Sequence, residues 1–129
     1  MAKSITRITD ITDETRRIVL ERQDNLSPFG QWLGRGVEFH HVVASEGLGE
    51  KGVGLEFNLV ALTPTEHRSI HDKKGIVING RQRYTYDEAI TLIKNHLKIN
   101  YPNWSEEKCK FHKGWTKEDY KISRRKGKL

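Results

Sequence analysis

Four of the six histidines in this 129-residue chain lie between Glu38 and His71, where their spacing suits chemistry. His40 and His41 are adjacent, and His67 lies four residues before His71. Histidine changes charge near neutral pH and is a common ligand of transition metals. This clustering is therefore the strongest chemical signal in the sequence.

The spacing favours a three-histidine metal site with a base beside it. His67 and His71, four residues apart on a predicted helix, would present their rings on one face. A third ligand from a neighbouring strand would complete a site with open coordination positions, and either His40 or His41 could supply it. Because neighbours on a strand point to opposite faces, one of these two would bind the ion and the other would remain a neutral base. A Lewis acid beside a general base is what phosphodiester hydrolysis requires.

Each residue also has a purely structural interpretation. Two histidines at this spacing more often form part of a solvated helix surface, and adjacent histidines on a strand often place one ring inside and one outside. Asn58, within a β-prone run, could be a bulge or turn residue. The joint arrangement favours a site, because it combines adjacent histidines, a glycine-rich loop, Asn58 and a capped helix that carries two more histidines.

The elements predicted around these residues give an α+β chain. Residues 37–43 and 57–62 are rich in β-favouring residues and should pair as an antiparallel hairpin across the glycine-rich loop. The segment from Thr63 to Glu66 predicts a helix start with a capping box, and this helix should end at Gly75. Together these elements form a predicted core over residues 37–74.

Further elements are predicted on both sides of this core. A helix over about residues 10–23 has acidic residues near its start and Arg22 near its end, as suits the helix dipole. A second capping box opens a helix over about residues 86–99, and a short helix should follow Trp104. The remaining expectations are a type I′ turn at Asn79 and Gly80, and core packing by Phe29, Trp32 and Leu33.

Composition fits one domain over residues 1–129, with a small core and an uneven charge. The net charge is +6, and the tail over about residues 108–129 holds nine Lys and Arg against two Asp and Glu. Such a tail favours polyanions, although it could simply solubilise the chain. The single cysteine, Cys109, excludes an internal disulfide and a Cys-based zinc knuckle. No apolar run predicts a membrane span or a signal peptide, so we expect an intracellular, cytoplasmic protein.

The stretch from Glu38 to His71 resembles the HNH nuclease motif, which is also called the ββα-metal fold and is treble-clef-like. The spacing is 17 residues from His41 to Asn58, nine to His67 and four to His71. The last two spacings and the Glu-x-His-His opening are similar to the nuclease domain of the DNase colicins. The N-terminal helix and the segment from His96 to Trp104 more weakly resemble small HNH proteins of phages and prophages.

This resemblance implies a role for each residue of the motif. His41 would be the general base that activates water, and Glu38 would support the site. Asn58 would hold the long loop and help to orient the base. The implied metal ligands are His40, His67 and His71.

The chain also departs from the family pattern. Many phage members carry zinc-binding Cys-x₂-Cys pairs, whereas this chain has Leu26 and Phe29 where the first pair would fall. We infer that apolar packing replaces that structural zinc. The Pro-Arg pair that often follows the first histidines is absent, so the residues that bind DNA phosphate must lie elsewhere. The candidates are Arg35, Lys51 and Arg68.

The expected function is therefore a metal-dependent endonuclease, of phage or prophage origin, that nicks or cuts DNA and leaves 5′-phosphate and 3′-hydroxyl ends. The ion could be Mg, Mn, Ni or Zn, because three imidazoles favour Zn, Ni, Co or Mn over the oxygen-preferring Mg, while Mg or Mn could be the working ion in a cell. One alternative is a non-catalytic, metal-stabilised module that binds nucleic acid. Another is an accessory subunit that works with phage terminase or packaging proteins. The sequence leaves monomer and homodimer open and predicts no membrane partner.

Overall fold

The computed structural model describes residues 11–34, 36–43, 52–110, 116 and 118–119. It is a small α+β protein, with helices and two separate antiparallel strand pairs. The helices and strands are α1 (Asp13–Arg22), β1 (Glu38–His41), β2 (Leu59–Leu62), α2 (Pro64–His71), β3 (Ile76–Ile78), β4 (Arg81–Tyr84) and α3 (Tyr86–Asn100). Short 3-10 turns are formed by Glu56–Asn58 and Glu107–Cys109.

The predicted hairpin is present, but both of its strands are shorter than expected. β1 and β2 pair antiparallel, with Glu38 opposite Leu62 and His41 opposite Leu59. The expectation that Phe57 and Asn58 belong to the second strand is wrong, because both lie in the 3-10 turn that precedes it. In this turn, the side-chain amide of Asn58 hydrogen-bonds to the backbone of the preceding loop.

β2 is buried on both faces, and this burial organises the packing. All four of its residues are 0% exposed. Because side chains alternate along a strand, Leu59 and Ala61 pack with Val19 of α1, while Val60 and Leu62 face the larger cluster that contains Ile93. The strand therefore separates two apolar clusters, one beneath α1 and one beneath α2 and α3.

Side chains from the end of α1 cover the edge of β2 that does not pair with β1. Gln23 accepts a hydrogen bond from the Ala61 amide at 2.8 Å and donates one to the Ala61 carbonyl at 3.0 Å. Arg22 donates to the carbonyls of Glu56 and Leu59, each at 2.6 Å. Buried backbone groups must be paired, so these two side chains make the hydrogen bonds that a third strand would otherwise make. Arg22 thus has an inward role besides the dipole contact expected from its position.

His96 on α3 completes this network. Arg22 Nε donates to His96 Nε2 at 3.1 Å, and the Tyr101 hydroxyl lies 3.4 Å from another Arg22 nitrogen. Burial, and then the positive charge of Arg22, lower the pKa of His96 to about 4. His96 is therefore neutral near pH 7 and accepts the hydrogen bond that holds α1 to α3.

Local sequence signals predicted the remaining turns well. Both helix starts have the expected capping boxes, at Thr63 with Glu66 and at Thr85 with Glu88. Asn79 and Gly80 have positive φ angles of 52° and 77°, as a type I′ turn requires. The short helix expected after Trp104 is the second 3-10 turn.

The expectation that Trp32 packs in the core is wrong, whereas Phe29 and Leu33 are buried as expected. Trp32 is 74% exposed, and Leu33 is 3% exposed. Leu26 and Trp32 form an isolated antiparallel bridge, so the backbone there is extended. Successive side chains of an extended chain point to opposite sides, and burying Leu33 therefore turns Trp32 outward.

The loop after α1 is held to α2 without cysteine ligands. One carboxylate oxygen of Glu66 accepts hydrogen bonds from Ser27 and Gln31, each at 2.8 Å. Nearby, the Phe29 ring packs against Tyr84 with centroids 5.4 Å apart. Of the two residues expected to pack where the resemblance implies a cysteine pair, Phe29 is buried, whereas Leu26 is 41% exposed. Polar contacts to Glu66 supply the rest of the attachment.

Some expectations fall outside the described residues. These include most of the basic tail. The N-terminal helix begins at Asp13, after its Thr12 cap, and thus later than the expected start at about residue 10. Within the part of the chain that is described, no helix combines the length and apolar character needed to cross a membrane.

Replacing Glu66 should destabilise the protein more than replacing Glu88, although both occupy the same position in a capping box. Glu66→Ala leaves Ser27, Gln31 and the Thr63 amide without their acceptor, and should cost about 2–4 kcal/mol. Glu88→Ala removes only an exposed cap and should cost about 0.5–1 kcal/mol. Urea denaturation of both variants measures the difference. Equal losses would show that the contacts to Ser27 and Gln31 contribute nothing.

Acid should destabilise the fold partly through His96. The folded-state pKa is about 4 and the ordinary value is 6.5. Between these values only the unfolded chain binds the proton, so the free energy of unfolding falls as the pH decreases across this window. His96→Gln keeps an acceptor for Arg22 and should show a shallower pH dependence in urea titrations. A residual slope is expected because the pKa of His40 is also lowered to about 4; identical slopes for the two proteins would contradict this account.

Candidate functional site

The hairpin and α2 bring histidines from distant parts of the sequence together. The rings of His40 on β1 and His67 on α2 lie edge to face, with centroids 5.3 Å apart and an interplanar angle of 67°. Both side chains are only partly buried, so the pair remains accessible from solvent. Two of the three histidines implied as metal ligands are therefore in contact.

Glu38 fixes the orientation of the His67 ring. Its carboxylate oxygen lies 2.7 Å from His67 Nδ1. A carboxylate only accepts hydrogen bonds, so Nδ1 carries the hydrogen, and Nε2 holds the lone pair whenever the ring is neutral. Metal-ligating histidines commonly have such a carboxylate on their second nitrogen. Glu38 and His40, two residues apart on β1, both contact this one ring.

His40 lies within electrostatic range of the other three clustered histidines. Burial is the main cause that lowers the pKa of His40 to about 4, followed by the charges that His67, His41 and His71 would carry. His40 is therefore neutral near pH 7. A neutral imidazole has a ring nitrogen lone pair available for a metal ion or a proton.

His71 is less fixed than the other two proposed ligands. Its side chain is 83% exposed, and its Nδ1 lies 3.8 Å from the Asp72 carboxylate. It borders a cleft of about 760 Å³ that runs along α2. The cleft is lined by Glu38, Pro64, Thr65, His67, Arg68, His71 and Asp72.

The donor chemistry of the site suits a divalent transition metal, although the ligands are not gathered around one point. Among the described residues, no three His, Cys, Asp or Glu side chains are grouped so that they could hold a metal ion. His40 and His67 offer imidazole nitrogens at close range, and the exposed His71 lies one helical turn beyond His67. The residues therefore fit the chemistry of such an ion, and His71 is the ligand that binding would have to order.

Asn58 joins the two ends of the long loop between β1 and β2. Its side-chain oxygen accepts from the Val43 amide at 2.8 Å, and its nitrogen donates to the carbonyls of Val43 and Val53 at 3.0 and 2.9 Å. Its backbone carbonyl also accepts from the Val42 amide at 2.9 Å. The backbone that directly follows His41 is thus fixed by this single buried residue, and the loop contact expected of Asn58 is present.

The expected DNA-binding residues are only partly described. Arg68 is exposed and lines the cleft beside His67 and His71, as a phosphate-binding residue there would. Arg35 and Lys51 lie outside the described residues. Sequence reasoning did not single out Asp72, which borders the same cleft; its place directly after His71, at the end of the helix, was the available signal.

Cys109 takes no part in this site. It is 0% exposed, and its sulfur lies 3.5 Å from the Phe57 carbonyl. Burial raises the pKa of its thiol to about 12. A thiol that stays protonated and buried is neither a nucleophile nor a metal ligand.

The chain matches no protein-family model, no curated protein and no solved structure. Its function must therefore be inferred from the geometry of this site and from the motif that the sequence carries.

Gly52, at the end of the long loop, should not tolerate a side chain. A Cβ atom there would overlap the Val43 carbonyl and crowd the Asn58 amide. Gly52→Ala should therefore cost about 2–3 kcal/mol of stability in thermal or urea unfolding. Gly30→Ala is the matched control, because Gly30 has a φ of +83° but no atom within 4 Å of an added Cβ. It should cost only about 1 kcal/mol, and a similar cost at both positions would contradict the close approach at Gly52.

Proposed function

We propose that this chain is a metal-dependent endonuclease of the HNH type that hydrolyses DNA phosphodiester bonds. The observation that carries the proposal is the contact of His40 with His67, whose ring is oriented by Glu38. A histidine pair, a supporting carboxylate and a loop fastened by Asn58 is the arrangement that the motif implies. The HNH nuclease core is proposed as the architecture around this site.

In this proposal His41 is the general base. It takes a proton from the water that attacks the phosphorus atom, and the bond from phosphorus to the 3′ oxygen breaks. The leaving oxygen gains a proton, so the products are a 5′-phosphate and a 3′-hydroxyl. Asn58 acts as a positioning residue, because it fixes the backbone directly after His41.

His40, His67 and His71 would hold the divalent ion. When bound, such an ion supplies Lewis-acid stabilisation of the charge that develops on the phosphate and the leaving oxygen. The Glu38 carboxylate contacts Nδ1 of His67, so Nε2 would be the ring nitrogen that binds the ion. Three imidazoles favour Zn or Ni, while Mg and Mn are the alternatives as the working ion.

Substrate would approach along the cleft beside α2. Arg68 lies in that cleft and would bind phosphate, with Arg35 and Lys51 as further proposed contacts. The net charge of +6 favours association with a polyanion. We propose DNA as the partner in a bacterial cytoplasm, in a phage or prophage context that includes terminase or packaging proteins.

A non-catalytic, metal-stabilised DNA-binding module is the second candidate. The observation that favours it is the net charge of +6, which attracts nucleic acid without any catalytic group. Such a module would retard DNA and melt at a higher temperature with metal, without cleaving any strand. Only the nuclease would convert supercoiled plasmid to nicked or linear DNA.

Supercoiled plasmid incubated with the protein and Mg, Mn, Ni or Zn should become nicked or linear with at least one metal. His41→Ala should lower the rate by about 10²–10⁴-fold, because the base is removed. His96→Gln is the matched control, since His96 is a described histidine on α3, away from the cleft. It should cleave at the parent rate.

Two results would contradict the nuclease proposal. One is that no metal gives nicked or linear product although the protein is folded. The other is that His41→Ala cleaves as fast as the parent. Retardation of DNA without cleavage would instead support the binding module.

A further inference from the structure

The basic residues of the described chain fall into two groups that differ in their contacts. On α1, Arg16 pairs with Asp13 and Arg17 pairs with Glu21, each at 3.0 Å. Near the C-terminal 3-10 turn, Lys94 pairs with Glu106, Lys110 lies 3.5 Å from Glu107, and Lys108 donates to the Asn103 carbonyl. Most cations on these two surfaces are thus neutralised or engaged by neighbours.

The cations that follow α2 are different. Lys73 and Lys74 directly follow the helix, and Arg81 and Arg83 lie on β4. All four are exposed, and within the described part of the chain none of them has an ion pair or a side-chain hydrogen bond. We call these four residues the hairpin cations.

The elements that carry the hairpin cations are close to one another. Gly75, which links Lys74 to β3, lies so close to β4 that an added Cβ would be 2.5 Å from the Tyr84 carbonyl oxygen. Ile78 pairs with Arg81 at the other end of the same hairpin. A register irregularity between Ile76 and Val77 leaves Arg83 as the extra residue on β4. Lys74 and Arg83 therefore lie near the end of β4 that contacts Gly75, and Arg81 lies beside the turn of the same hairpin.

The described carboxylates that are close to the hairpin cations in the sequence form no ion pair with them. Asp72 lies 3.8 Å from His71, and Glu88 accepts from the Thr85 amide at 2.9 Å in its capping box. Asp87 borders a separate groove beside Pro28 on the face of α3. None of these groups neutralises the hairpin cations, so a positive surface remains beside the cleft residues His71 and Asp72.

We propose that the hairpin cations bind the phosphate backbone of duplex DNA and guide it into the cleft along α2. Unpaired, exposed Lys and Arg at fixed positions suit a rod of phosphates, because each contact releases condensed counterions. Lys73 and Lys74 follow His71 by two and three residues, so the surface begins at the end of α2 that borders the cleft. The inference rests on the proposed function, and it identifies a binding surface that is distinct from the histidine site.

The test is the salt dependence of binding, measured without metal so that no strand is cut. Fluorescence polarisation of a labelled DNA duplex in EDTA gives the binding constant over a series of salt concentrations. The slope of log K against log salt should become shallower by about 0.9 for each phosphate contact removed. Lys73→Gln with Lys74→Gln, and separately Arg81→Gln with Arg83→Gln, should each reduce the slope by roughly 1.8.

The matched control is Arg16→Gln with Arg17→Gln, which removes the same charge from an exposed but ion-paired surface. Its slope should equal that of the parent. Parent-like slopes in both hairpin variants, or an equal reduction in the control, would overturn the proposal. Thermal unfolding of each variant, read by circular dichroism, shows whether the fold is retained.

The outcome is separable from that of the nuclease proposal. If plasmid is cleaved but the hairpin variants bind like the parent, only the DNA-binding surface is wrong. If the hairpin variants lose the salt dependence but no metal supports cleavage, the surface stands and the nuclease proposal fails.

Discussion

The complete burial of β2 is the constraint on which the rest of the structure depends. A strand with apolar residues on both faces must pair its backbone groups along both edges, or leave buried polar atoms unsatisfied. β1 serves one edge, and the side chains of Arg22 and Gln23 serve the other. This requirement fixes the end of α1 against the strand and fixes the register of β1. The larger apolar cluster then positions α2 and α3 on the opposite face.

The candidate site follows from that register. Alternation along β1 places Phe39 towards the cluster beneath α1, while Glu38 and His40 both contact His67 on α2. A shift of one residue in the pairing would exchange these faces and separate the histidines. The catalytic arrangement proposed here is therefore a consequence of packing that is decided by β2, which itself carries no polar side chain.

Sequence reasoning succeeded where a signal is local and failed where a partner is distant. Capping boxes and the Asn79–Gly80 turn depend on a few adjacent residues, and the structure confirms them. The 3-10 turn at Asn58 depends on contacts with Val43 and Val53, so alternation of β-favouring residues gave no warning of it. The exposure of Trp32 and the edge-covering role of Gln23 likewise depend on tertiary contacts. The spacing of the histidines predicted their neighbourhood, but not the 83% exposure of His71.

Glu66 shows how one carboxylate can both cap a helix and hold a loop that is distant in the sequence. Glu66 is the third residue of α2, and its sequence position predicts only that it caps the helix. Its second oxygen, however, accepts from both Ser27 and Gln31, in the loop where a resembling protein would carry its first cysteine pair. This attachment is made by a carboxylate and by the packing of Phe29 on Tyr84. Because Glu66 directly precedes His67 on α2, the contacts that fasten the loop to the helix also fix the turn of the helix that carries His67.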